Sequence, residues 1–411
     1  MKRILMIAYH FPPLAGSSGI QRTLRFVQHL PKFGWEPIVL TCHPRAYEKT
    51  NNHLLADIPP SVVVSRAFAL DAARHFSIAG RYPGYLARPD RWVSWRFDGV
   101  RQGMRLIETY RPNVIWSTFP IATAHVIGAE LQCHSGLPWV ADFRDPMAQD
   151  GYPADPRTWR AYKRIEESAL EQARLAIFTT PGAARFYQRR YPHAKARIEV
   201  IENGYDEETF VKAEAELGER TPLNPGFLTL LHSGIVYPAE RDPIALFEAL
   251  GLLKQNNHPA ADRLKVRFRA PVHDALLLDL ARRFDVTENV EVLPPLPYRE
   301  ALAEMLRADG LLILQAASCN DQIPAKLYEY LRAMRPIIAL TEPTGDTALT
   351  LKRYGIVRMA RLNDAAAICG LLSAFHDDPT QGTLPDLNAI LEASRLRRTR
   401  QLADCLAYLS S

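Results

Sequence analysis

Three side chains in the second half of the chain have types and spacing suited to chemistry: Asp321, Lys326 and Glu329, within CNDQIPAKLYEYLRAMRPIIAL (319–340). The apolar run Leu311–Leu314 reads as a buried parallel strand. Polar residues 318–322 break it, and Pro324 opens a helix, proline being favoured at the first helical position. Arg335 and Pro336 close that helix before a second apolar run, Ile337–Leu340. In such a strand–loop–helix–strand unit, ligands bind beyond the carboxyl ends of the strands, near the helix N-terminus. Ile323 offers no side-chain acceptor, so the first amides of the helix, as far as Leu327, are left for an anion such as a phosphate. Lys326 would stand beside that anion on the first turn, with Glu329 almost a turn later and Asp321 in the loop. The plainer alternative is a solvated loop acid and an ordinary Glu–Lys helix face.

The elements that must hold these groups follow from the rest of the chain. With 411 residues it exceeds one ordinary core, so two or three domains are expected. Hydrophobic residues at 47% and charged residues at 23% are those of a soluble globular protein. A net charge of +5 suits a phosphate-bearing ligand or an anionic membrane surface without requiring either. The five cysteines are scattered with no CxxC pair, which argues for reduced thiols in a cytoplasmic protein and against a zinc site. The opening MKRILMIAYHF reads as a first buried strand, not an export signal, and no apolar run is long enough to span a membrane.

That strand, Ile4–Tyr9, leads into HFPPLAGSSGIQR, where Gly16, Ser17, Ser18 and Gly19 permit close backbone approach. A helix (22–30) and a strand (37–41) complete a Rossmann-like start. It lacks G-x-G-x-x-G and has no acid at the end of the second strand, which argues against a dehydrogenase. Between Arg66 and Arg111, arginines interleave with Phe76, Tyr82, Tyr85, Trp92, Trp95 and Phe97. This is a surface suited to a membrane interface or a phosphate-bearing acceptor, and equally an ordinary solvated face. No nucleic-acid motif accompanies it. A strand ending at Ala141 carries Asp142, Arg144 and Asp145 just past its carboxyl end, a cluster able to bind hydroxyls or phosphate, or to pin the loop as a buried ion pair. After a Glu-rich linker, Ala213–Pro225, the alternating strand–helix plan begins again at Leu228.

Taken together, GSSGIQRTLRF, LPWVADFRDP, VIENGYD and PAKLYEYLRAMRPIIAL resemble the bacterial retaining GT-B glycosyltransferases of family 4 (glycosyl transferase group 1), over nearly the whole chain. The resemblance implies an α/β fold of two Rossmann-like domains facing a central cleft. Residues 1–210 would hold the acceptor, with the C-terminal helix 387–411 crossing back to them, and 222–386 would hold the nucleotide-sugar donor. The family's acid–seven–Glu motif falls on Asp321 and Glu329: Asp321 would contact the sugar and Glu329 the ribose. Gly16 and Ser17 would face the donor through their backbone. Gly234 and Arg241 match the diphosphate loop, where Ile235 replaces an arginine for which Lys326 can substitute, joined by the Leu327 amide. Asp142 and Arg144 are carried with Asp321 as catalytic candidates. Thr118 occupies the place of a family histidine; His125, two turns along the next helix, reads as a helix-face residue and is carried with Asp145 as an acceptor-side candidate. No Asp-x-Asp occurs, so no metal is expected.

The implied function is transfer of a hexose from a nucleotide-diphosphate sugar to a glycan or lipid-linked acceptor in bacterial polysaccharide assembly. It would take place in the cytoplasm or peripherally at the inner face of the plasma membrane, without nucleic acid. A non-catalytic GT-B scaffold and a nucleotide-sugar epimerase are the alternatives. A phosphorylase is disfavoured because nothing points to a lysine carrying pyridoxal phosphate.

Overall fold

A computed structural model of the chain describes residues 1–17, 19–79, 81–380, 384 and 387–409. Ser18 of the glycine-rich loop and the last two residues of the expected C-terminal helix lie outside these. The chain forms two compact units, Met1–Asn203 with the C-terminal helix, and Gly204–Ser394.

The first unit is built on strands β1 (Lys2–Ile7), β2 (Trp35–Cys42), β3 (Val63–Ala67), β4 (Val114–Thr118), β5 (Trp139–Arg144), β6 (Leu175–Phe178) and β7 (Arg197–Val200). They form one parallel sheet in the order β3-β2-β1-β4-β5-β6-β7. The chain winds outward from β1 to β3 and then returns to β4, so the order reverses between β1 and β4. Both faces are covered, which is why β1 reads as an unbroken apolar run. Leu5 and Ile7 share one core with Trp95 and Trp139. Ile4 and Met6 share the other with Trp116, Leu402 and Leu406, the last two supplied by the helix Arg395–Leu409. Fully burying each such aliphatic side chain contributes about 1.5–3 kcal/mol.

The second unit repeats the plan with β8 (Leu228–Ser233), β9 (Leu264–Arg269), β10 (Val290–Leu293), β11 (Gly310–Leu314), β12 (Ile337–Leu340) and β13 (Met359–Ala360). These too are parallel, in the order β10-β9-β8-β11-β12-β13, with the reversal between β8 and β11.

Several elements depart from the sequence expectation. The tail is two helices, Leu387–Glu392 in the second unit and Arg395–Leu409 in the first. The expected linker is helical in its first part: helix Glu207–Leu217 starts on Asp206, whose carboxylate accepts the Thr209 amide at 3.2 Å. Arg332 holds that helix through Glu207 at 2.7 Å and Glu214 at 3.1 Å. Strand β5 continues through Arg144, so Asp142 and Arg144 lie within it. Among the interleaved aromatics, Trp95 belongs to the core. No described helix is long and apolar enough to cross a membrane.

Candidate functional site

In the second unit the polar groups gather where the strand order reverses. Strand β8 ends at Ser233, Gly234 begins the loop after it, and the helix Lys326–Ala333 follows β11. Lys326 Nζ donates to Ser233 Oγ at 3.2 Å. Gly234 has φ +141°, a conformation that favours glycine, and a Cβ there would lie 2.8 Å from both Cε and Nζ of Lys326, so any other residue would push the amine aside. The loop is braced from below: the Ser233 amide donates to Tyr330 Oη at 2.9 Å, and the Gly234 amide to the Arg269 carbonyl at 2.9 Å.

Arg241 stacks on Tyr237 and donates to the Ile235 carbonyl at 2.6 Å, which folds it back over the same loop. Burial pushes the Lys326 ammonium down to about 8; Glu329 and Glu304 oppose the fall and Arg241 adds to it. Both cations thus touch the same short segment, Lys326 at Ser233 and Arg241 at Ile235, where an anion could meet them. Glu329, partly buried, accepts a hydrogen bond from the Tyr298 hydroxyl at 2.8 Å, which fixes one carboxylate oxygen. Asp321 is exposed in the loop before the helix.

The N-terminus of that helix differs in detail from expectation. It begins at Lys326 and has no side-chain cap. The Leu327 amide is not available to a ligand, because it donates to the Pro324 carbonyl at 2.9 Å within the first turn, and its side chain is fully buried.

In the first unit the corresponding edge lies between β1 and β4. Ser17 serves the following helix: its hydroxyl accepts the Gly19 amide at 3.2 Å. Gly16 has φ +82° and open space where a side chain would be. Asp142 is fully buried and gripped by Arg22 through two bonds of 2.9 and 3.0 Å, with the Thr118 hydroxyl a third donor at 3.2 Å. Arg22 also donates to the carbonyls of Ile201 and Glu202. Asp142 is thus the carboxylate of a buried ion pair with three donors upon it, a structural arrangement.

His125 is fully enclosed beside Trp139 and Phe143, with Nδ1 2.7 Å from Ser117 Oγ, so it cannot touch an acceptor. Burial pushes its imidazole down to about 3. Asp145 is partly buried near the Thr179 hydroxyl, 3.4 Å away. Its carboxyl is raised by burial against the opposite pull of Arg144. The loop that follows is pinned by Glu166, which accepts the amides of Met147 at 3.0 Å and Ala148 at 2.7 Å and the hydroxyls of Tyr187 and Tyr191. Sequence reading missed Ser233, Tyr298, Tyr330, Arg22 and Glu166. Each acts on a residue distant in the chain, and where one stands in a quoted motif, as Arg22 and Tyr330 do, the motif does not show its partner. Among the described residues no group of three or more His, Cys, Asp or Glu is arranged to hold a metal.

Two doubly wound parallel sheets, each with its loops gathered at the point of reversal, are the Rossmann-like pair of the GT-B class. Residues 19–209, a little under half of the chain, match the model of Glycosyltransferase Family 4, and the fold is that of the GT-B glycosyltransferases. No curated protein sequence matches it. Among solved structures, sucrose-phosphate synthase from Thermosynechococcus elongatus is similar at 15% identity and TM-score 0.65, over 100% of this chain and 96% of the other. HepE of Anabaena in complex with UDP-glucose is similar at 14% identity and TM-score 0.65, over 99% and 100%. A UDP-N-acetylglucosamine 2-epimerase, so described for Listeria monocytogenes, shares the fold at 12% identity and TM-score 0.58, over 98% and 95%.

Proposed function

We propose that this glycosyltransferase uses a nucleotide-diphosphate sugar, with UDP as the nucleotide, and transfers the sugar with retention to a glycan or lipid-linked acceptor in polysaccharide assembly. The observation that carries the reading is the placing of two cations on one short segment at the reversal of the second sheet, Lys326 against Ser233 and Arg241 against the Ile235 carbonyl, with Glu329 almost one turn beyond Lys326 and fixed by Tyr298. In this reading the two cations bind the diphosphate and stabilise the charge that grows on it as the glycosidic bond breaks. Glu329 accepts the ribose hydroxyls with the oxygen left free by Tyr298, and Asp321 meets the sugar. The Ser233 and Gly234 loop lets the phosphate approach backbone closely. The acceptor hydroxyl passes its proton to the departing donor phosphate, so no strong protein base is needed. No metal is assigned, because protein cations supply the charge. UDP-glucose in the similar HepE structure supports the choice of nucleotide.

The test is incubation with a panel of UDP-sugars, with and without a bacterial lipid-linked glycan fraction, followed by mass spectrometry. Transfer only when acceptor is present, with the anomeric configuration kept, is expected. Donor converted to an epimer with no acceptor present would instead establish the epimerase reading, and donor binding without turnover the scaffold reading. Peripheral membrane contact is part of the proposal: Phe76, Tyr85 and Phe97 are exposed, although Arg88, Arg91, Arg96 and Arg101 are each paired with a nearby acid. Partial sedimentation with anionic vesicles, reversed by salt, is expected; equal sedimentation with neutral vesicles contradicts it.

A further inference from the structure

Arg144 is a cation of the first unit that the reading above leaves without work. It ends β5 beside the reversal between β1 and β4, the position where ligands bind in sheets of this kind. Its backbone has φ +62°, a left-handed conformation that is uncommon for a residue with a side chain and is retained where something over-determines it. That backbone turns the guanidinium across the start of the helix Gly19–His29. A Cβ on Gly19 would lie 2.7 Å from Arg144 Nη1 and 2.4 Å from His10 Nδ1, so glycine is what makes room for both.

The neighbouring carboxylates of Asp145 and Asp142 attract it but do not pair with it. Arg22 and Asp142 are committed to each other. The Arg144 guanidinium makes no ion pair within 4 Å among the described residues; its one hydrogen bond there is long, 3.4 Å to the Phe119 carbonyl, and its buried Nε has no partner. Asp145, next in the chain, is turned toward Thr179. His10 contributes no positive charge, since burial, with Arg144 second, pushes its imidazole down to about 3. A guanidinium partly withdrawn from water, with its buried Nε unsatisfied, is a costly arrangement unless a partner arrives. Its planar fork matches a carboxylate or phosphate in two-point contact.

We propose that Arg144 is an anion-recognition residue of the first unit, which selects an acceptor carrying a phosphate or carboxylate near the hydroxyl that is glycosylated. This rests on the transferase reading for the identity of the ligand as acceptor, but the anion site itself does not. Ser17 Oγ, 3.5 Å from His10 Nδ1, and the N-terminus of the helix it caps lie on the same side and favour the same sign of ligand.

The experiment follows the Arg144 Nε–Hε resonance of the full chain during separate titrations with inorganic phosphate, glucuronate, glucose and UDP-glucose. Saturable shifts with phosphate or glucuronate, and none with glucose, are expected; which of the two binds more tightly distinguishes a phosphorylated from a uronic acceptor. Arg144→Gln should weaken that binding at least tenfold and leave the UDP-glucose affinity within twofold. Gly19→Ala, which crowds the guanidinium without removing it, should weaken it in the same direction. No shift with either anion in the wild-type protein overturns the proposal, whether or not the variants fold. So does an equal loss of UDP-glucose affinity in Arg144→Gln, since the anion would then be the donor's. Failure of UDP-glucose to bind anywhere, with the phosphate shift retained, would remove the transferase reading and leave the anion site.

Discussion

Lys326 Nζ lies 3.2 Å from Ser233 Oγ, beside Gly234, where a Cβ would crowd the amine. The contact joins the end of β8 to the helix after β11, the two elements that flank the strand-order reversal. It also holds an amine whose protonation lies near neutral pH. In the free protein Lys326 loses its charge as the pH rises through about 8. A bound diphosphate favours the charged form and raises that value. Donor affinity should therefore be flat below about 8 and fall above it, by up to roughly tenfold per pH unit until the bound-state value is passed. Titration calorimetry with UDP between pH 7 and 10 measures this. In Lys326→Arg, whose charge persists, the fall should vanish; an unchanged profile in that variant contradicts the assignment.

Glu329 and Tyr298 should behave as a pair. Glu329→Ala should cost on the order of 1.5–3 kcal/mol of donor binding through loss of the ribose contact, about ten to a hundredfold. Tyr298→Phe, which frees the carboxylate without removing it, should cost less. Both should leave thermal stability nearly unchanged, since Glu329 is only partly buried. Equal UDP affinity in Glu329→Ala and wild type rules the ribose role out.

The buried pair of Arg22 and Asp142 should matter to folding, not to chemistry. Asp142→Ala leaves Arg22 buried and unpaired and should lower stability by about 3–5 kcal/mol in urea unfolding. Below its melting temperature the variant should keep a turnover within a few-fold of wild type. A large loss of turnover with full stability would restore Asp142 as a catalytic residue.

Acid should destabilise both units through enclosed histidines. His125 and His232 are held neutral down to about 3, because burial opposes their charging. In the unfolded chain each takes up a proton near 6.5, so the unfolded state binds more protons between these values and stability falls as pH drops below 6.5. At pH 5 the loss is about 2 kcal/mol for each histidine. Calorimetric melting at pH 7 and pH 5 checks it, and His125→Gln should flatten the slope of the first unit. A melting temperature independent of pH over this interval in the wild type contradicts the account.

Much of this was legible in the sequence wherever the signal is local. The runs Leu311–Leu314 and Ile337–Leu340 are strands because apolar residues buried on both faces leave no alternation to interrupt them. The crowding of Lys326 toward Glu329 follows from helical spacing. What stayed hidden is what the fold joins at long range. Arg22 meets Asp142 across 120 positions, and Ser233 meets Tyr330 across 97. No motif spans such distances, so the cluster in ADFRDP could not be divided in advance into a paired Asp142 and an unpaired Arg144. The Leu327 amide was misjudged because one early-turn bond to Pro324 decides whether it is free. His125 has the same local spacing whether its helix face meets solvent or the packed rings of Trp139 and Phe143.

The most direct test of the central claim is calorimetric titration of UDP into the full chain in excess chelator, alongside Lys326→Ala and Arg241→Ala. Saturable binding to one site without metal, weakened by each substitution, is expected, together with a loss of turnover of about 3 kcal/mol of barrier, roughly a hundredfold. Binding that vanishes in chelator and returns with magnesium or manganese, or that is indifferent to both substitutions, would contradict a protein-borne cationic clamp on the donor diphosphate.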